Sequence, residues 1–214
     1  MFITFEGPDG SGKSTQIELL HRYLEEQGYD VLLTREPGGT PIGEQIRSIL
    51  HDVRNTEMLP NAEILLYSAS RAQHVGQVIG SALARGELVL CDRYAESTMA
   101  YQGYGHGLDI ELLRTITSFA TGGLRPDLII YLDVDVETGL QRRLDAFESG
   151  QAEWNRMDRK EREFHERVRR GYLKMASEDP KRWLLVDGNR EIDEIHREIR
   201  ERLRLFWEGE GREQ

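Results

Sequence analysis

The stretch Gly7-Pro8-Asp9-Gly10-Ser11-Gly12-Lys13-Ser14 constrains this chain more than any other. It fits the spacing G-x-x-x-x-G-K-[ST], which cradles a phosphate only where a strand precedes it and a helix follows. Both are legible here. Phe2 to Glu6 is a short apolar run, and Ser14 to Gln27 carries Ile17, Leu20 and Leu24 at helical spacing, with Gly28 as a stop. Composition alone would supply only about 0.004 such matches in a chain of this length. Glycines let main-chain N–H groups converge on phosphate oxygens, and the helix N-terminus adds partial positive charge. Gly7 to Ser14, with Thr15 behind them, are therefore the expected triphosphate-binding residues. Lys13 is the sole lysine among the first 159 residues. It is expected to bridge the β- and γ-phosphates, and the Ser14 hydroxyl to ligate Mg²⁺.

Strand and helix patterns alternate through the rest of the chain. Val31-Leu32-Leu33, Leu88 to Cys91, Leu128 to Leu132 and Trp183 to Val186 read as further strands. Helical patterns cover Gly43 to Leu50, Ala62 to Arg85, Ile110 to Ala120 and Glu137 to Leu144. A last stripe holds Ile192, Ile195, Ile199, Leu203 and Phe206. Short all-apolar strands separated by helices predict an α/β fold. It is a doubly wound five-stranded parallel sheet with helices on both faces, of the P-loop NTPase type, with ligands beyond the strand carboxyl ends. With 214 residues the expectation is one domain, 1–214. The polar segment Asp145 to Asp158 breaks the pattern. It reads as part of a mobile lid at about residues 142–158, with a long loop as the alternative.

Several classes are disfavoured. A net charge of −10 argues against a nucleic-acid partner. No apolar run approaches the roughly 18 residues of a membrane span. Met1 to Phe5 lacks the basic start and long apolar stretch of a secretory signal. The single cysteine, Cys91, excludes a disulfide framework within the chain. A cytoplasmic protein with no membrane partner is expected.

A phosphate loop does not by itself separate kinase, switch, motor and helicase. A guanine-reading N-K-x-D is absent, and the chain is short for a motor, so a small-molecule kinase fits best. Candidates for the acceptor side follow the strands. Asp92 ends an apolar strand, where a carboxylate holds the Mg²⁺ water shell, and Arg93 would reach an acceptor phosphate; a salt-bridged strand cap is the alternative. Thr34 to Thr40 offers Arg35 and Glu36 beside a glycine-rich turn, as site or as structural loop. Tyr67 and Arg71 share one helical face. They would stack and read a nucleobase, or be a core tyrosine and a surface arginine. Ser97 to Gly103 holds Thr98, Tyr101 and Gln102, suited to a sugar or to a polar loop.

Five segments in order resemble the bacterial thymidylate kinases. They are Phe5 to Thr15, Thr34 to Thr40, Leu66 to Ala72, Asp92-Arg93-Tyr94 with Ser97 to Gly103, and Phe164 to Arg169. The resemblance implies transfer of the γ-phosphate of ATP to dTMP, for dTTP synthesis, in a cytoplasmic homodimer. It implies ATP binding by Gly7 to Thr15, with Mg²⁺ at Ser14, Asp92 and Asp9. Arg93 would bind the acceptor phosphate, with Asp9 facing the acceptor's sugar and phosphate. Tyr67 would stack on thymine and Arg71 donate to its carbonyl. Thr98, Tyr101 and Gln102 would line the nucleoside, and Arg35 and Glu36 shape that side. With no basic residue in Pro8 to Ser11, a lid arginine should supply catalytic charge, and Arg142, Arg143 and Arg156 are the candidates. A P-loop kinase of another nucleoside monophosphate or deoxynucleoside is the alternative, and a nucleotide-dependent switch lies further off.

Overall fold

The computed structural model describes residues 1–151 and 155–210. Five parallel strands form one sheet: β1 (Phe2–Glu6), β2 (Val31–Arg35), β3 (Leu88–Asp92), β4 (Leu128–Asp133) and β5 (Trp183–Asp187), in the order β2-β3-β1-β4-β5. All of β1 is buried, as an apolar strand flanked on both edges and both faces must be. The register sets Phe5 beside Asp92. Gly7 and Arg93 therefore leave the sheet at nearly the same height, on neighbouring strands.

The helices are α1 (Lys13–Glu26), α2 (Pro41–His51), α3 (Pro60–His74), α4 (Gly80–Ala84), α5 (Ala95–Thr98), α6 (Ile110–Thr121), α7 (Val136–Glu148), α8 (Arg162–Glu178) and α9 (Ile192–Glu210). The apolar faces of α1 and α9 close one side of the sheet through Ile17, Leu20, Leu24, Ile195, Ile199 and Leu203. On the other side α8 packs Phe164, Val168 and Tyr172 against Tyr101, Ile129 and Tyr131. The predicted doubly wound fold is present.

Three local findings differ from the sequence expectation. The helix expected over Ala62 to Arg85 runs as α3 and α4 joined by a π-helical turn at Val75–Ile79. The stretch Ser97 to Gly103 is helical, since α5 continues into a second π-helical turn at Met99–Gly105. Such one-residue expansions recur at functional sites. Finally, α7 runs on through Asp145 to Glu148, so the first part of the expected lid is helix. Residues 152–154 of that lid lie outside the described residues.

Candidate active site

The phosphate loop is a main-chain construction. Gly7, Gly10 and Gly12 have φ of 144°, 78° and 90°. A Cβ on Gly10 would sit 2.2 Å from the carbonyl oxygen of Gly139 in α7, so only glycine lets loop and helix touch backbone to backbone. Helices α2, α6 and α7 begin with side-chain caps from Thr40, Asp109 and Asp135. Helix α1 has none, which leaves its first N–H groups for an anion. The Lys13 ammonium folds back to donate to the carbonyls of Gly7 (3.0 Å) and Pro8 (2.8 Å). Burial, then the nearby Arg93 cation, pull its pKa down to about 8.

Arg93 faces this loop from the end of β3. Among the described residues it is the one non-glycine with positive φ, 69°. A left-handed arginine costs on the order of 1 kcal/mol, and such strain persists where surroundings over-determine it. Here they do. Its N–H donates to the Phe5 carbonyl (2.9 Å), extending the ladder. Its guanidinium donates to Asp9 Oδ1 (2.8 Å), Ser97 Oγ (3.1 Å) and the Tyr101 hydroxyl (3.2 Å), and it lies over the Tyr101 ring. Behind it, buried Glu6 accepts from the Tyr94 N–H, Ser97 and Tyr172. Burial would raise the Asp9 carboxyl, but Arg93 and Lys13 outweigh it and hold it well below the usual range.

A cavity of about 570 Å³ joins the two anion sites. Asp9, Lys13, Ser14, Asp92 and Arg93 line it, as do Arg35, Glu36, Tyr67, Arg71, Thr98, Tyr101 and Gln102. Arg71 is not the surface arginine of the alternative reading, for it is 2% exposed. Its guanidinium donates to Glu36 Oε2 (2.7 Å), Thr98 Oγ1 (2.9 Å) and the Tyr94 carbonyl (2.9 Å). Glu36 also meets His74 Nδ1 at 3.2 Å. Arg35 is half exposed and donates to the Pro37 carbonyl and Glu44. Sequence reasoning missed Arg47 and His51 of α2, which line the same cavity. Burial, then Arg47, lower the His51 pKa to about 4, so it is neutral at pH 7. The signal for both was their spacing, one helical turn apart on α2.

The three lid candidates separate. Arg142 and Arg143 line the cavity, and Arg156 does not. Arg143 makes two hydrogen bonds to Asp158, both 2.9 Å, and Arg142 donates to the Gly188 carbonyl (2.9 Å). Arg156 is buried, bonded to the Leu50 carbonyl and ion-paired with Glu63 of α3. Arg169, within the Phe164 to Arg169 motif, makes a two-point pair with Asp133 at 2.8 Å.

Ser14 Oγ and Asp92 Oδ2 lie 3.4 Å apart, and Asp92 Oδ1 is buried with no hydrogen-bond partner among the described residues. Hard oxygen donors and an unsatisfied carboxylate oxygen beside a phosphate cradle suit Mg²⁺, which keeps waters and phosphate oxygens as its other ligands.

A lysine on a main-chain cradle, confronted across one cavity by a strained arginine beside a wall of Tyr67, Arg71 and Gln102, defines a P-loop kinase acting on a phosphorylated or hydroxylated small acceptor. Comparison with known proteins narrows this. The thymidylate kinase family model matches residues 5–199, and the chain belongs to that family. It is 52% identical over 207 residues to a thymidylate kinase of Roseiflexus castenholzii, covering 93% of this chain and 90% of that one. It is 50% identical to one from Herpetosiphon aurantiacus, covering 93% of each. A crystal structure of thymidylate kinase from Ehrlichia chaffeensis superposes with a TM-score of 0.76 at 35% identity, over 95% of this chain and 98% of that one.

Proposed function

We propose that this chain transfers the γ-phosphate of ATP to dTMP, giving dTDP and ADP for dTTP synthesis in the cytoplasm. The observation that carries the reading is the single cavity in which Arg93 faces Lys13 and Tyr67, Arg71 and Gln102 stand beyond. Transfer needs two anions aligned and their repulsion cancelled, against a protein background of −10. Gly7 to Thr15 bind the ATP phosphates, with main-chain N–H donors at every position but Pro8, and Lys13 neutralises the β- and γ-phosphates. Arg93 holds the dTMP phosphate, and Asp9 orients Arg93. Ser14 and Asp92, with Asp9 on the same cavity, would hold Mg²⁺, which when bound neutralises charge on the β- and γ-phosphates. The attacking group is a phosphate oxyanion, so no strong general base is required. Arg35 and Glu36 shape the acceptor wall, Tyr67 stacks on the base, and Thr98 and Tyr101 flank the sugar.

Arg142 and Arg143 are the charges suited to the transferring group, since both line the cavity and Arg156 lies buried outside its lining. Residues 1–214 act as one kinase unit whose lid, 142–158, closes to exclude water. A homodimer is supported by apolar side chains exposed on packed helices α2, α3 and α6: Ile49, Leu65 and Phe119, the last 90% exposed. Phe119→Glu should convert it to monomer in sedimentation velocity. The decisive assay is ADP release. It should be rapid with dTMP and at least about 100-fold slower without acceptor; equal rates would refute the proposal.

A further inference from the structure

Gln102 reaches the cavity from the π-helical turn after α5, 2% exposed. Its carboxamide has two ends of equal shape and opposite chemistry, and its neighbour decides between them. Gln102 Nε2 lies 2.6 Å from Glu63 Oε1. Burial would raise the Glu63 pKa, but His106, Arg156 and Gln102 together lower it to about 2, so it is a carboxylate at pH 7. A carboxylate accepts only, and the opposite amide orientation would set two oxygens against each other. The other oxygen of Glu63 is held by Arg156, itself bonded to the Leu50 carbonyl, and His106 Nε2 stands 3.5 Å from Oε1. The carboxylate therefore cannot turn. Gln102 Oε1 is left as an acceptor to which no described residue donates. On the same cavity, Arg71 has five N–H bonds and uses three on Glu36, Thr98 and Tyr94, which leaves two donors.

We propose that Glu63 is a positioning residue for acceptor choice. It locks the Gln102 carboxamide with nitrogen turned away from the ligand and oxygen toward it, so the pocket accepts a base with a ring N–H beside a carbonyl and rejects one with a bare ring nitrogen beside an amino group. A thymine ring satisfies both partners at once. A cytosine ring presents an acceptor to Gln102 Oε1 and an amino group to Arg71, two mismatches that the amide cannot relieve by turning over. Arg156 acts through Glu63, which ties base reading to the turn that precedes α8.

The inference rests on the kinase reading, and its test separates the two. Steady-state kcat/KM is measured for dTMP and dCMP with wild type, Glu63→Gln, Glu63→Asp, Gln102→Ala and the Glu63→Gln/Gln102→Ala double variant. In Glu63→Gln the amide can turn over, and the dTMP:dCMP ratio should fall at least about tenfold. Glu63→Asp remains acceptor-only and should keep the ratio within about threefold of wild type, whatever activity it loses. Gln102→Ala should lower the ratio, and adding Glu63→Gln to it should lower the ratio no further. A purely structural Glu63 would reduce both acceptors in proportion, leaving the ratio unchanged, and that would overturn the inference. So would an equal drop in ratio with and without Gln102. If Glu63→Gln does not fold, Gln102→Ala still puts the inference at risk, because an unchanged ratio there is equally fatal. A wild-type enzyme idle with dTMP would instead sink the functional reading.

Discussion

The donor and acceptor halves of the cavity bind the same kind of charge by different means. The donor half is eight consecutive residues in which the main-chain N–H groups of all but Pro8, together with one lysine, do the work. The acceptor half is assembled from side chains on α2, α3, β3 and the turn after α5, each held by another: Arg93 by Asp9 and Ser97, Arg71 by Glu36, Gln102 by Glu63. Backbone donors carry no rotamer entropy and no sequence preference, so the donor half is rigid and general. Side-chain donors must be tethered, and the tethers are where selectivity can be written. Loss of a single acceptor-side group should therefore be graded and substrate-dependent, while loss of the donor-side cation should be severe for every acceptor.

The largest expected effect tests the donor half. Lys13→Ala should lower kcat by about 10³-fold or more with any acceptor, read by coupled ADP assay. A loss confined to dTMP would break the comparison. Next, Arg93→Ala should cut kcat/KM for dTMP by about 10²-fold and raise its KM, with ATP affinity little changed. Comparable damage to ATP binding would erase the distinction between halves.

A smaller effect comes from protons. Lys13 has its pKa lowered to about 8 by burial and Arg93, so it is charged below that pH and neutral above it. ATP binds the charged form. Affinity by calorimetry should hold below pH 8 and weaken above it, approaching about tenfold per pH unit. Lys13→Arg should abolish that fall. The smallest effect spares activity. Burial, then Glu6, raise Glu96 behind the acceptor wall to a pKa of about 7, and its Oε2 is unpartnered. The fold prefers its protonated form, so the cost is absent below the ordinary value of 4.5, grows as pH rises to 7 and is complete above. Glu96→Gln should raise stability at pH 8 by on the order of 2 kcal/mol and change nothing at pH 4, by denaturant titration.

The same contrast explains what could be read from sequence. The phosphate loop was legible because its information is local: glycine positions, one lysine, a strand before and a helix after. The strands were legible because burial on both faces leaves continuous apolar runs. The tethers were not. Nothing near Arg156 in sequence says that its partner is Glu63, 93 residues away, and a polar stretch such as Ser97 to Gly103 carries no period that reveals a π-helical turn. Arg71 and Tyr67 could be placed on one face by spacing alone. That the arginine would be the more buried of the two depends on Glu36, which arrives from another strand.

The touching glycines, Gly10 and Gly139, have a mechanical consequence. They make a fulcrum: between Asp9-Gly10 and Gly139 the nucleotide loop and α7 meet backbone to backbone. Arg142 and Arg143 are three and four residues along α7, a lever arm of about 5 Å. A small tilt of the helix about that pivot, with the Arg142–Gly188 and Arg143–Asp158 bonds released, would swing both guanidinium groups across the mouth of the cavity while leaving the loop itself undisturbed.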